Sequence, residues 1–192
     1  MTLYAWPILL CWLAYLAYWT ITARSAKRDV GKRRWWQQWA VTRIGFVLLV
    51  ILALQSPALR RWIRGINPHA VNASPAYGIA GVLFCATGVG LAIWARTILG
   101  RNWGMPMSQK EDPELVTQGP YSVIRHPIYA GVLLAFLGSA LATSLAWLLP
   151  LIFCCFYFLL SARQEEKLML AQFPQSYPAY RARTKMLIPY LF

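Results

Sequence analysis

Apolar residues along this chain gather into long runs separated by polar, cation-rich stretches. A helix that crosses a bilayer needs about 20 mostly apolar residues. On that rule the pattern predicts spans over residues 3–23, 43–62 (with Arg43 snorkelling at its edge) and 76–99, then a last apolar run over 128–160. As one helix this last run would extend close to 50 Å at about 1.5 Å per residue, well beyond a hydrocarbon core of about 30 Å. A break near Thr143 and Ser144 divides it into two helices, the first of which reaches across if it begins inside "RHPIY" and tilts. The expected architecture is all-α, a polytopic membrane bundle of about five transmembrane helices whose last two form a helical hairpin.

The cations test that count independently, because cytoplasmic loops collect Lys and Arg. With five spans, one side receives seven cations in the first loop (Arg24, Lys27, Arg28, Lys32, Arg33, Arg34, Arg43). It also receives four in and around the long loop (Arg96, Arg101, Lys110, Arg125) and five in the tail (Arg163, Lys167, Arg181, Arg183, Lys185). That is 16 of the 19 in the chain. The other side keeps Arg60, Arg61 and Arg64. The asymmetry predicts an N-terminus outside, with the long loop and the C-terminus cytoplasmic. A single long fourth helix would send the five tail charges outward.

Composition agrees with lipid as the solvent: 58% of the 192 residues are hydrophobic and 13% charged. The formal charge of +13 follows from topology, since the basic residues cluster between apolar spans instead of lining a nucleic-acid-binding face. Cys11, Cys85, Cys154 and Cys155 all lie inside apolar runs, without metal-ligand spacing, so neither a metal nor a disulfide framework is expected. The stretch "KRRWWQQW", residues 32–39, suits a helix anchored at headgroup level. Gly78, Gly81, Gly88 and Gly90 share one span, where small residues let neighbouring helices approach closely. His69 is expected to be solvated. The whole chain reads as a single integral membrane domain, with N-terminal spans and a basic loop over 1–75 and a core over 76–192.

The longest polar connection is "GRNWGMPMSQKEDPELVTQGPYSVIRHP", residues 100–127, and a loop of that length in a compact membrane protein is usually functional or disordered. Its composition favours order: Gly119-Pro120 is a turn signal, and Pro127 pushes His126 toward an extended backbone before suiting the first turn of the next helix. His126 is thereby presented, near Tyr121 and Tyr129, at a helix N-terminus with free N–H groups. Arg163, Glu165 and Glu166 close the final span. The hairpin brings this group and "RHPIY" to one end of adjacent helices, although about 40 residues separate them. Charges at membrane depth need partners or a polar ligand.

These same residues carry a resemblance. "LGRNW" from Leu99, "ELVTQGPYSVIRHPIYAG" from Glu114, and "EEKLMLAQF" followed by "YPAY" resemble the membrane-embedded methyltransferases of the isoprenylcysteine carboxyl methyltransferase family, which are related to phospholipid methyltransferases. The resemblance covers about the last half of the chain. It implies S-adenosylmethionine bound in a cytoplasmic pocket made by the hairpin, the preceding loop and the tail. The cofactor site so implied takes in Glu114, Leu115, Val116 and Tyr121, then His126, Pro127, Ile128 and Tyr129, and finally Glu165. Arg163 is the implied contact for a substrate carboxylate. The position two before Leu115, often His in that family, is Pro113 here. The implied partners are a lipophilic methyl acceptor and membrane lipids, with no nucleic acid and no metal.

A carboxylate acceptor, most simply that of an isoprenylcysteine-like molecule, is ionised at neutral pH and needs no general base. An amine acceptor such as phosphatidylethanolamine must lose a proton, which would give His126 or Glu166 a base role. The phospholipid N-methyltransferase is therefore the second reading. Membrane sterol reductases share the "RHP" turn but usually carry Asn where this chain has Ile128. A noncatalytic membrane protein that binds lipid or a partner is the remaining class.

Overall fold

The computed structural model describes residues 3–22, 75–102 and 114–189. Within them the chain forms α1 (Ala5–Thr22), α2 (Pro75–Leu99), α3 (Pro127–Ala142), α4 (Leu148–Gln172) and a short α5 (Tyr177–Arg183). Short 3-10 turns cover Gly100–Asn102, Gly119–Ser122 and Leu145–Trp147. Among the described residues there is no strand, only an isolated parallel bridge between Ile124 and Lys185. Three segments, Ala5–Thr22, Pro75–Asn102 and Leu145–Gln172, are long and apolar enough to cross a membrane, and Pro127–Ala142 is a shorter apolar helix. The expected span over 43–62, the "KRRWWQQW" stretch, His69 and Pro113 lie outside the described residues.

The expected break is present. α3 stops at Ala142, and Ser144, with an extended backbone at φ −161° and ψ 136°, accepts a hydrogen bond from the Ala146 N–H at 3.2 Å. A small hydroxyl side chain that satisfies the next turn's donor ends one helix and starts another, so the last apolar run folds as a hairpin. α4 outlasts its apolar stretch: beyond Leu160 it continues to Gln172 and carries Arg163, Glu165 and Glu166 past the greasy surface. Proline stands in the first turn of α3, where its missing N–H costs nothing.

α2 and α3 meet along glycines. A Cβ built on Gly81 would lie 2.5 Å from the Ala142 nitrogen, one on Gly131 2.5 Å from the Gly88 oxygen, and one on Gly138 2.5 Å from the Gly81 oxygen. Backbone therefore touches backbone, as close helix packing in lipid requires. Gly90, also in α2, meets nothing within 4 Å. α1 joins this seam through Trp12, whose Nε1 donates to the Ser139 hydroxyl at 3.0 Å and whose ring stacks on Trp147 at 5.8 Å.

Arg96 fixes the other end of the pair α1 and α2. Its side chain is 2% exposed, and its two terminal nitrogens donate to the carbonyls of Gly100 at 2.7 Å and Thr22 at 2.9 Å. These are the C-terminal carbonyls of α2 and α1, groups that lack intrahelical donors and carry the negative end of each helix dipole. One buried cation thus brings both helix ends to the same face of the bundle.

Candidate active site

The turn that precedes α3 is built by Gly119. Its φ of +58° lies in the left-handed region that favours glycine, and a Cβ there would also press on the Ile98 side chain at 3.1 Å. The turn then folds back on itself, with Tyr121 N–H donating to the Gln118 carbonyl at 3.1 Å and Ile124 N–H to the Pro120 carbonyl at 3.2 Å. Val123 to His126 next run beside the segment that follows α5. Lys185 N–H donates to the Val123 carbonyl at 3.1 Å, Arg125 N–H to the Lys185 carbonyl at 2.8 Å, and His126 N–H to the Met186 carbonyl at 3.1 Å. The Tyr180 hydroxyl adds a bond to the Tyr121 carbonyl at 2.8 Å. Chain from three regions is thereby laced around one corner.

Inside that corner Arg125 and His126 face the acids of α4. Arg125 Nε donates to Glu166 Oε1 at 2.6 Å, and its Nη1 reaches the Thr184 carbonyl and, at 3.3 Å, the Arg181 carbonyl. Arg181 approaches the other oxygen of Glu166 at 3.3 Å. His126 lies between the two acids, Nδ1 3.4 Å from Glu165 and Nε2 3.6 Å from Glu166. The Tyr129 hydroxyl donates to Glu165 at 2.5 Å, and the Tyr129 ring stacks between His126, at 5.5 Å, and Phe158, at 4.4 Å. Glu166 is 5% exposed and Glu165 24%, so Glu165 is the acid that still faces outward.

Burial alone would push the His126 pKa down, but the hydrogen bonds and charges of Glu165 and Glu166 outweigh it and raise the pKa above the usual histidine range. Tyr121 and Tyr177 are pushed well above the normal phenol range and Tyr180 up to about 12, each chiefly by burial. These phenols stay protonated at neutral pH, and the Tyr180 hydroxyl donates to the Tyr121 carbonyl. The cluster therefore pairs Glu166 with two arginines and sets the His126 ring between the two acids, which favour its protonated form.

A separate cleft of about 490 Å³ opens where α2 ends, lined by Ile98, Asn102, Glu114, Leu115 and Val116 among others. Asn102 Nδ2 donates to Glu114 there at 3.2 Å. The residues expected to share one site are therefore distributed. His126, Tyr129 and Glu165 are in direct contact, Pro127 is buried at the head of α3, and Ile128 packs on Tyr129, Ala162 and Leu187. Glu114, Leu115 and Val116 line the cleft instead. Tyr121, 7% exposed, sits on the 3-10 turn between the two regions.

Arg163 is not part of the buried cluster: it stands exposed on α4. The cations that meet the glutamates are Arg125 and Arg181, which the sequence pattern groups with the topological charges. A signal for them exists. On a helix, residues four apart share a face, so small Ala162 marks the inward side that Glu166 also occupies. Arg163 falls off that face. Arg125 adjoins His126 directly, so a corner that presents one must place the other nearby.

The donor set fits S-adenosylmethionine. Its ammonium and ribose hydroxyls call for an outward-facing carboxylate, which Glu165 is, oriented by Tyr129 and His126. His126 Nε2 is buried and, at 3.6 Å from Glu166, too far for a normal hydrogen bond, so the corner is polar but not fully closed. Leu115, Val116 and Ile98 offer apolar contact for a purine.

Fold and site together define a polytopic helical membrane protein with a polar corner at one end of a helical hairpin. The chain belongs to the phospholipid methyltransferase family, whose model matches residues 77–176. It is 34% identical over 107 residues to the nickel-cobalt-cadmium resistance protein NccN of Alcaligenes xylosoxydans xylosoxydans, a match covering 54% of this chain and 49% of that protein. It is 38% identical over 72 residues to methanethiol S-methyltransferase 2 of Bradyrhizobium diazoefficiens, covering 38% of this chain and 27% of that one. The chain thus spans about half or less of the length of these relatives. Its fold matches that of a eukaryotic intramembrane Ras methyltransferase, isoprenylcysteine carboxyl methyltransferase, with a TM-score of 0.56 and 23% identity over 84% of this chain and 55% of that one.

Proposed function

We propose that this protein transfers a methyl group from S-adenosylmethionine to a lipophilic acceptor that arrives already ionised, in the first place a carboxylate of the isoprenylcysteine kind. The observation that carries this reading is how the acids of the corner are paired. Both of its acids are engaged, Glu166 by Arg125 and Arg181 and Glu165 by Tyr129 and His126, and the two acids draw the His126 pKa upward, toward the protonated form. A site so arranged has no ready base. It suits a carboxylate, ionised at neutral pH, better than a lipid ammonium, which must first give up a proton.

When bound, S-adenosylmethionine would supply a methyl group already activated on a sulfonium, so alignment and exclusion of water are what the chain must provide. Glu165, His126 and Tyr129 hold the polar groups of the cofactor in this reading, with Pro127 and Ile128 fixing the start of α3 beneath them. Glu114, Leu115, Val116 and Tyr121 line its approach. Arg163 is the cation proposed to meet the acceptor carboxylate, because it stands exposed on α4 one turn nearer the apolar surface than Glu166. The proposed orientation has the N-terminus outside, and the corner and C-terminus in the cytoplasm, so that the cofactor arrives from water and the acceptor from lipid.

The family's description favours a second reading, phospholipid N-methylation on the same scaffold. Calorimetric titration of the purified protein with S-adenosylmethionine and, separately, with NADPH tests the shared premise: binding of the first alone is expected, and no binding of it removes both readings. Incubating membranes with methyl-labelled cofactor then separates them, since a methyl ester is released by base and a methylated amine is not. Glu165→Gln is expected to lose cofactor affinity while remaining folded.

A further inference from the structure

We propose that the C-terminal end of α5 and the segment after it, residues 181–188, dock on anionic phospholipid headgroups, and that this contact seats the backbone wall on which Arg125 and His126 stand. The inference does not rest on methyl transfer. It starts from how the segment is divided between inward and outward side chains. Thr184 and Leu187 are buried, Thr184 with its hydroxyl bonded to the Tyr180 carbonyl at 2.8 Å and Leu187 packed with Tyr129 and Ala162. Arg181, Arg183 and Lys185 are exposed, with the Arg183 guanidinium 5.8 Å over the Tyr180 ring. The outer surface is therefore cationic and the inner one belongs to the site.

Its position sets the partner. The apolar surface of α4 lasts to Leu160, which is 63% exposed, and that of α2 to Ile98, 37% exposed. The Val123–His126 strip that pairs with Lys185 and Met186 leads directly into α3, whose Tyr129 stacks on Phe158 of α4. The cations thus lie on the strip that joins the polar corner to the start of α3, at the end of the bundle where the apolar surface stops. Val123 at 42% and Ile188 at 51% exposure flank them with apolar side chains that water does not favour and an interface does. Exposed Arg163 and Lys167 on α4 extend the same sign of charge. Clustered cations beside exposed apolar groups, at the depth where a helix leaves the hydrocarbon, match a surface bearing anionic headgroups.

The coupling to the site is through the backbone. Lys185 and Arg181 among the outward cations, and their neighbours Met186 and Thr184, supply carbonyls to the corner: Lys185 and Met186 to the Arg125 and His126 N–H groups, Arg181 and Thr184 to the Arg125 guanidinium. Headgroups that hold Arg183 and Lys185 in place hold these acceptors too.

The full chain is reconstituted in nanodiscs of phosphatidylcholine alone or with added phosphatidylglycerol, and amide hydrogen exchange is followed in peptides covering 123–126 and 181–188. Exchange in both peptides is expected to slow several-fold in the anionic discs, the difference vanishing in high salt. It should also vanish in the double variant Arg183→Gln, Lys185→Gln, with α2 and α3 protected as before. The charge-conserving pair Arg183→Lys, Lys185→Arg should keep the response. Equal exchange in the two lipids, a response that survives loss of the charges, or loss of it in the charge-conserving pair overturns the proposal. So does inorganic phosphate reproducing the effect in phosphatidylcholine discs, which would point to a free anion as the ligand.

Discussion

The α2–α3 seam and the corner beyond it are held by opposite means within a single small bundle. The seam contains no charge, and its cohesion comes from contact between backbones that glycine permits and lipid does not compete for. The corner is mostly charge: two arginines and a histidine around two acids, tied by backbone bonds to the segment after α5. The seam tolerates no added volume, whereas the corner tolerates no missing partner. The bundle thus combines a rigid apolar frame with a polar site at its rim.

The largest effect should come from breaking the corner. Arg125→Met leaves Glu166, 5% exposed, without its closest cation, and losing one partner of a buried pair costs about 3–5 kcal/mol. Denaturation in detergent should show that loss, and Arg125→Lys should recover only part of it, because a single ammonium cannot reach Glu166 and the Thr184 and Arg181 carbonyls together. Breaking the seam comes next. Gly138→Val drives a side chain into the backbone of α2, and overpacking of this kind costs about 1–3 kcal/mol. Gly90→Val, on the same helix pair but facing open space, should cost far less, and equal losses at the two positions would refute the backbone-contact account.

Much of this frame is legible in the amino-acid sequence. The hairpin follows from the length of one apolar run and the side to which tail cations must go, and the break falls at Thr143 and Ser144 as their polar side chains within that run imply. Gly119-Pro120 announces a turn, and Gly119 has the positive φ such a turn uses. The meeting of "RHPIY" with the glutamates follows from topology alone. Pairing is what the sequence conceals. Nothing local tells Glu166 to take Arg125, 41 positions away, in place of Arg163 on its own helix; helical phase decides it, by turning Arg163 outward. Nor does the segment after α5 advertise its role, because it pairs through backbone groups whose positions side-chain identity does not encode.

A smaller effect separates the regions by pH. The folded-state pKa of His126 is raised, so its ion pairs contribute fully below the ordinary histidine pKa of about 6.5 and are lost as pH rises through the folded value. Stability should therefore decline as pH rises above about 6.5, and His126→Gln should flatten that decline while Gly138→Val leaves its slope unchanged. A slope that persists in His126→Gln would assign it to another group.

The smallest effect is expected where a polar group lies inside the apolar region. Trp12→Phe removes the indole donor to Ser139, whose hydroxyl keeps its own bond to the Ala135 carbonyl at 2.8 Å, so no buried group is stranded. Hydrogen bonds between membrane helices average about 0.6 kcal/mol, and the loss should stay near that figure. Ser139→Ala should cost a similar amount, since the indole N–H then loses the same bond. Were either variant to rival Arg125→Met, the seam would depend on polar contacts as heavily as the corner does, and the contrast between packing and pairing would not hold for this fold.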